Sequence, residues 1–181
     1  MTPGKTWPHQ THGGEMKKTG YLHDKRYLLH DTGPYHPERP ERLQAIHSGI
    51  EEAGLLPYLT MITAKSAEMK WIESVHLKSY IRRFKEACLA GEDFLDYADN
   101  QMCVETFNTA MLAAGGVIEA SRMVLSGEIE NAFCSIRPPG HHAEVDSAMG
   151  FCYFNNVAVA ARYLQMEWNI EKVAIIDIDV H

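Results

Sequence analysis

The sequence predicts an α/β protein in which helices cover both faces of a parallel β-sheet. Short apolar segments alternate with longer segments of helical periodicity along the 181 residues, and this alternation is typical of successive strand–helix–strand units. The length fits one domain, and 45% hydrophobic with 23% charged residues is sufficient for a buried core. In such a sheet we expect the functional crevice at the carboxyl ends of the strands.

Four segments are predicted to be strands. Residues 18–24 ("KTGYLHD") are predicted to form a short first strand and residues 59–63 ("LTMIT") a weaker one, and "AFCSI" (132–136) has the composition of a buried strand. The segment "VAIIDIDVH" (173–181) is a continuous apolar run whose polar residues occur only towards its C-terminal end. That pattern indicates a strand buried on both faces of a parallel sheet.

Four helices are predicted, and glycines mark the ends of the first three. The first begins at Pro40, a residue suited to the first helical position, and its apolar stripe of Leu43, Ile46 and Ile50 ends at Gly54. The others are predicted at 77–91, about 102–125 and 154–165.

Three local features complete the predicted framework. Ser66 can cap the turn after the second strand. "GEDFLDYADN" (91–100) has the composition of an acidic, aromatic loop, and the small residues "AAGG" (113–116) allow the third helix to pack closely against a neighbour.

Charge and composition exclude several classes of protein. The net charge is -7, and no Lys/Arg cluster of the kind that binds nucleic acid is present. No apolar run approaches the roughly 18 residues of a membrane span, and residues 1–15 are polar, which indicates a disordered extension without a signal-peptide core. The four cysteines form no CxxC pair, which favours reduced thiols and a cytoplasmic location.

The predicted C-terminal strand ends in a row of polar side chains. Because side chains alternate between the two faces of a strand, Asp177, Asp179 and His181 are expected to point the same way. Burial of three polar groups is costly unless it is compensated, and carboxylate and imidazole groups are ligands of Zn²⁺. The spacing therefore predicts a metal site, for which Fe²⁺ is also chemically suitable. The alternative is a solvated strand end.

Two adjacent histidines follow the third predicted strand in "RPPGHHA" (137–143). The rigid Arg-Pro-Pro-Gly turn fixes the backbone from which both rings project. One neutral imidazole can accept a proton from a metal-bound water while the other stabilises charge, and a carboxylate such as Asp177 can set the tautomer of the histidine. His141 and His142 are therefore predicted to transfer protons. The alternative is an exposed pair without a catalytic role.

Four motifs, in this order, resemble the histone deacetylase superfamily: "HPERPERL" (36–43), "RPPGHHA" (137–143), "MGFCYFNNVAVAA" (149–161) and "DIDVH" (177–181). Bacterial histone-deacetylase-like amidohydrolases, acetylpolyamine amidohydrolases and acetoin-utilisation proteins are the most similar branches, and the resemblance covers about 17–181. It implies the arginase/deacetylase fold, a three-layer parallel sheet with helices on both faces. It also implies zinc-dependent hydrolysis of an acetyl-amide with release of acetate.

The resemblance implies a role for each residue that matches a motif. His141 and His142 match the tandem catalytic histidines of the family. Asp177 matches the carboxylate that pairs with the first histidine and also contributes to a monovalent-cation site, for example for K⁺. Asp179 and His181 match two zinc ligands.

Further matches place residues around the substrate. Gly150 and Phe151 match the wall of the acyl-lysine tunnel, and Asp99 matches the aspartate at its rim that holds the substrate backbone. Arg42 matches an arginine of an inner acetate channel. For His36 a role in loop structure is the alternative to a functional one.

The sequence departs from the family at its C-terminal end. The family motif reads D-x-D-V-H-H-G-N-G, and the 181 residues end at its first histidine. The third zinc ligand, the partner of the second histidine and the transition-state tyrosine lie downstream in the family. We therefore expect residues 16–181 to be the N-terminal part of a catalytic domain, and the isolated 181-residue chain to be inactive.

The expected partner is a small acetylated amine or an acetyl-lysine peptide or protein. The sequence leaves open whether the chain forms a homo-oligomer. Two alternatives to an acetyl-amide hydrolase also stay open. One is a non-catalytic protein that binds an acetyl-amine or a partner. The other is an arginase-type ureohydrolase with paired manganese, which would require more Asp and His ligands.

Overall fold

The structure, a computed structural model, describes residues 18–180. The predicted extension at 1–15 and the predicted zinc ligand His181 lie outside the described residues. Within the described part, no helix has the length and apolar character needed to cross a membrane. All four cysteines have free thiols; Cys88 and Cys152 are buried, whereas Cys103 and Cys134 are partly exposed.

Three parallel strands form the main sheet of the described residues. Strand β1 (Thr19–Leu22) lies between β2 (Leu59–Ile62) and β5 (Asn131–Cys134). In this register Tyr21 stands beside Met61 on one neighbour and Phe133 on the other. The predicted strands at 18–24, 59–63 and 132–136 are therefore confirmed as neighbours in one parallel sheet.

Helices connect the strands. In the described residues these are α1 (Glu41–Glu52), α2 (Met69–Ile72), α3 (Lys78–Ala90), α4 (Thr106–Leu125) and α5 (Asn156–Glu167). The four predicted helices are confirmed, and α2 was not predicted. Gly54 and Gly91 follow α1 and α3 with φ of +67° and +73°, a left-handed conformation that glycine adopts at helix ends. At the start of α5, the Asn155 side chain accepts a hydrogen bond from the Ala158 amide.

Helices contact both faces of the sheet, as predicted. On one face, α4 packs against a buried cluster that includes Leu22 and Ile62. A Cβ atom at Gly115 would lie 2.0 Å from the Lys65 carbonyl oxygen, so the predicted close packing at "AAGG" is confirmed. On the other face, the Nδ1 of His47 in α1 lies 3.4 Å from the Tyr21 hydroxyl.

The region 91–100 is a β-hairpin rather than the predicted loop. Strands β3 (Phe94–Leu95) and β4 (Tyr97–Gln101) pair in antiparallel fashion. Asp96 turns the chain with φ of +63°, a conformation that aspartate tolerates better than most residues. Helix α4 begins at Thr106 rather than at about residue 102, because the amide of Met102 donates a hydrogen bond to the Asp93 carbonyl of the hairpin.

Burial of the third predicted strand is also different from expectation. Asn131, Ala132 and Phe133 are exposed, because within the described residues β5 pairs only with β1 and forms an edge of the sheet. Ser66 does not cap the following helix, which begins at Met69 without a side-chain cap.

The prediction of a buried strand at 173–181 is wrong for residues 173–180. This segment forms no strand, and Ile176 and Ile178 are 86% and 89% exposed. A strand is stable only where its backbone groups pair with a neighbour, and 173–180 make no such pairing within the described residues.

Candidate active site

A cavity of about 1050 Å³ lies beside the carboxyl end of β5. It brings together residues that lie far apart in the sequence, and many of the predicted site residues line it: Asp99, His141, His142, Gly150, Phe151 and Asp179. Arg42 also lines it. The structure therefore places these seven residues around one cavity, where a functional site is expected in a parallel sheet, namely at the carboxyl ends of the strands.

The tandem histidines project from a tightly held turn. Their rings meet edge to face, with centroids 4.3 Å apart and an interplanar angle of 82°. The turn presses against the start of α5, because a Cβ atom at Gly140 would lie 2.5 Å from the Phe154 carbonyl oxygen and 2.6 Å from the Asn156 amide. This close approach requires glycine and fixes the backbone that carries both histidines.

Asp177 lies next to the first histidine. Its Oδ2 is 3.9 Å from the Nδ1 of His141, which is beyond hydrogen-bond distance. The side chains are 54% and 31% exposed, respectively, so solvent screens the interaction. The Oδ1 of Asp177 accepts a hydrogen bond of 2.9 Å from the backbone amide of Asp179. Asp177 thus lies beside His141, the histidine with which it was predicted to pair, but it is too far away to fix the tautomer of the ring through a hydrogen bond.

The described residues do not by themselves fit a zinc site. Asp179 lines the cavity, whereas His181 lies outside the described residues. Among residues 18–180, no three His, Cys, Asp or Glu side chains are grouped closely enough to hold a metal ion. A catalytic zinc ion normally has three protein ligands, so zinc binding stays a prediction.

Gly150 and Phe151 form a strained turn in the wall of the cavity. Gly150 has φ of +54°, and a Cβ atom there would lie 2.6 Å from the Cδ2 of His142. Only glycine lets this ring pack so closely on the backbone. Phe151 also has a positive φ of +68°, which is unusual for a large side chain. Its ring meets the His36 ring edge to face at 4.6 Å.

Asp99 and His36 connect the hairpin to the first motif. Asp99 lies in β4, and its backbone carbonyl oxygen is 3.0 Å from the Nε2 of His36. The Nδ1 of the same buried ring lies 3.1 Å from the amide of Glu38. Both His36 nitrogens are occupied by backbone groups, which favours the loop-structural role for this residue.

A buried ion pair, which the sequence did not reveal, joins the first motif to the histidine turn. The Nε and Nη2 of Arg137 donate to the two carboxylate oxygens of Glu38 at 2.7 and 2.8 Å. Arg137 is fully buried, and its Nη1 also donates to the His30 carbonyl at 2.7 Å. Arg42 extends the network, since its Nη2 donates to the Ile136 carbonyl at 2.8 Å and lies 3.3 Å from Glu38. Glu38 lies in "HPERPERL" and Arg137 in "RPPGHHA", but no local sequence pattern indicates that these two residues pair.

Burial and charge determine the protonation states in this network. Burial alone would raise the pKa of Glu38, but the hydrogen bonds and positive charge of Arg137 outweigh it, and the net effect lowers the pKa. Burial, followed by the charge of Arg137, lowers the pKa of His30 to about 3. The network therefore contains an ionised carboxylate and a neutral histidine near pH 7.

The neutral state of His30 predicts a loss of stability in acid. Between about pH 6.5 and pH 3 the unfolded chain binds a proton that the folded chain does not, so the free energy of unfolding falls as the pH is lowered through this window. One such group contributes at most about 1.4 kcal/mol per pH unit. We expect His30→Gln to reduce the slope of the free energy of unfolding against pH, measured by urea unfolding, by a large part of that amount.

His47→Gln, at a half-buried position in α1, is the control. Equal slopes for His30→Gln and the wild type would contradict the expectation.

A parallel sheet with helices on both faces, and paired histidines in a cavity beside a strand end, define a protein of the arginase/deacetylase fold. The comparison with known families agrees, since residues 36–181 match the family described as "Histone deacetylase domain". The chain belongs to this family.

Known relatives and a solved structure support the same assignment. The chain is 38% identical to a protein of Archaeoglobus fulgidus named "Probable deacetylase", over 90% of this chain and 45% of that protein. It is 34% identical to the histone deacetylase-like amidohydrolase of Pseudomonas aeruginosa, over 91% of this chain and 48% of that protein. The crystal structure of the HDA15 HD domain matches with 33% identity and a TM-score of 0.78, over 83% of this chain and 44% of that one. The chain thus spans less than half the length of each of these proteins.

Proposed function

We propose that the protein contributes to a deacetylase that hydrolyses the amide bond of an acetylated amine, as in acetyl-lysine or an acetylpolyamine, and releases acetate. One observation carries the proposal: two histidines meet edge to face in the cavity, and a carboxylate lies 3.9 Å from the first of them. Amide hydrolysis requires one group to accept a proton from water and to return it to the leaving amine, and it requires support for the charge that develops.

The two histidines are assigned different tasks. His142 packs against the backbone of Gly150 in the cavity wall, and a ring nitrogen there accepts a proton from the attacking water and then donates it to the amine nitrogen. His141, whose Nδ1 lies 3.9 Å from the Oδ2 of Asp177, stabilises developing negative charge. A general base of this kind contributes about 10²–10⁴-fold to the rate.

The lining of the cavity suits a neutral acyl group on an extended stem. Met149, Gly150 and Phe151 offer apolar side chains and backbone on one side, and Asp99 offers a carboxylate at which an amide or ammonium group can be held. The net charge of -7 also favours a cationic amine as the substrate. These features support acetyl-lysine and acetylpolyamine alike.

We assign Asp179 and His181 as zinc ligands, with Fe²⁺ as the second choice, and Asp177 as a contributor to a monovalent-cation site. When bound, zinc supplies Lewis-acid polarisation of the acetyl carbonyl. A catalytic zinc site needs a further ligand, and residues 18–180 by themselves contain no group of three His, Cys, Asp or Glu side chains that could hold a metal ion.

Zinc content and turnover of two forms of the protein test this proposal together. We expect the 181-residue chain alone to show at most trace deacetylase activity, to bind zinc weakly and to associate through its exposed apolar segment 173–180. A form extended through the downstream family motifs should carry about one zinc per chain and lose activity on chelation. Elemental analysis, an acetyl-lysine assay and light scattering measure these three properties.

Matched variants locate the metal. Asp179→Asn should lower the zinc content of the extended form, whereas Asp146→Asn, at an exposed position outside the cavity, should not. Activity that survives exhaustive chelation, with metal shown to be absent, would exclude metal dependence. Full activity of a monodisperse 181-residue chain would mean that other residues complete the site. Tight binding of an acetylated amine without turnover in either form would favour the binding-protein alternative.

A further inference from the structure

A single buried amide joins the β3–β4 hairpin to the cavity wall. Asn100 is fully buried in β4. Its Oδ1 accepts a hydrogen bond of 2.8 Å from the amide of Phe151, and its Nδ2 donates at 3.0 Å to the Leu95 carbonyl across the hairpin. Both ends of the side chain are thus used, one within the hairpin and one on the wall.

The backbone that Asn100 holds is in a conformation that needs support. A non-glycine residue with φ of +68°, such as Phe151, persists only where its surroundings impose it. The preceding residue, Gly150, is the one on which the His142 ring packs. The hydrogen bond to the Phe151 amide therefore supports Phe151 of the wall directly and lies one residue beyond the contact between Gly150 and His142.

The same hairpin also holds the other end of this turn and the rim of the cavity. The Oδ2 of Asp96 accepts a hydrogen bond of 2.8 Å from the Ala148 amide. Asp99 precedes Asn100 in β4, and neighbouring residues of a strand point to opposite sides. Asp99 lines the cavity, whereas Asn100 is buried behind it. One element therefore sets both the rim and the wall.

We infer that Asn100 is a positioning residue for substrate recognition: by holding the Phe151 amide it sets the position of the Gly150–Phe151 wall along which the acyl-bearing stem binds. This inference rests on the proposed function and deepens it. Asn100 touches no reacting atom, so its loss should weaken substrate binding more than it slows the proton transfers.

Three variants separate positioning from general stability. Asn100→Ala removes both hydrogen bonds. Asn100→Asp keeps an oxygen acceptor for the Phe151 amide but loses the amide donor to Leu95. Asn108→Ala is the matched control, because Asn108 is exposed on α4 and its side chain is bonded only to Glu105 among the described residues.

The first measurement does not depend on activity. Amide hydrogen exchange of Phe151, followed by NMR in the extended form, should be about ten-fold faster in Asn100→Ala, because the amide loses its buried acceptor. It should change less in Asn100→Asp and not at all in Asn108→Ala. Unchanged exchange in Asn100→Ala would overturn the inference, whatever the enzyme does.

The second measurement uses the active, extended form. For an acetyl-lysine reporter we expect the KM of Asn100→Ala to rise about ten-fold while kcat stays within about two-fold, with a smaller rise in KM for Asn100→Asp. A fall in kcat at constant KM, or no change in either, would overturn the positioning role. If Asn100→Ala does not fold, the same comparison between Asn100→Asp and the wild type decides. Absence of activity in the wild type overturns the proposed function instead, while the exchange result still reports on the contact.

Discussion

Replacement of His142 by alanine is expected to lower turnover of an acetyl-lysine reporter by about 10²–10⁴-fold, the usual contribution of a general base. The ring packs against Gly150 in the cavity wall and meets His141 edge to face. Its loss removes a proton acceptor but leaves Phe151 and Asp99 in place, so KM should change much less than kcat. Steady-state kinetics of the extended form measure both constants.

A control variant tests whether the loss is specific to the cavity. His47 lies in α1 and contacts Tyr21 on the sheet, so His47→Ala should keep turnover close to that of the wild type. If His142→Ala also keeps wild-type turnover, the assignment of the tandem pair to catalysis is wrong.

Replacement of Arg137 by methionine is expected to destabilise the fold by about 3–5 kcal/mol, the usual effect of removing one partner of a buried ion pair. Arg137 is fully buried, the Glu38 side chain is only 6% exposed, and two hydrogen bonds join them. Without Arg137, the carboxylate stays buried. Arg42 compensates only in part, because it lies 3.3 Å away and is 40% exposed. Urea unfolding at pH 7 measures the difference in the free energy of unfolding.

A double variant distinguishes the uncompensated charge from lost packing. Arg137→Met combined with Glu38→Gln removes both charges, and we expect it to recover part of the stability lost in Arg137→Met. Arg39→Met, which removes an exposed contact with Glu41, should unfold almost as the wild type does. An Arg137→Met chain with wild-type stability would show that the pair does not hold the histidine turn.

Local patterns in the sequence predicted the elements that depend on local interactions. Gly91 ends α3 because it adopts a left-handed conformation that few other residues tolerate. The two short predicted segments that contain 19–22 and 59–62 form neighbouring strands. Local motifs and the resemblance to the family together predicted seven of the residues that line the cavity.

The remaining features depend on contacts between distant residues. The hairpin at 94–101 is held by the bond from Asn100 to Leu95 and by the bond from Phe151 to Asn100, the latter across 51 residues. Hydrophobicity alone predicts a strand at 173–181, but pairing decides whether an apolar segment becomes a strand. No periodicity encodes a partner that lies elsewhere in the chain.

The Arg137–Glu38 pair also determines when the histidine turn can reach its final position during synthesis. The two residues are 99 positions apart, and a ribosome adds about 5–20 residues per second, so Glu38 precedes its partner by about 5 to 20 s. During that interval the "HPERPERL" segment lacks the ion pair between Glu38 and Arg137, because Arg137 does not yet exist. Closing a loop of this length carries an entropic penalty before the contact forms. The cavity is therefore among the last parts of the described chain to assemble, and a nascent chain stalled before Arg137 holds an ionised carboxylate without its main partner.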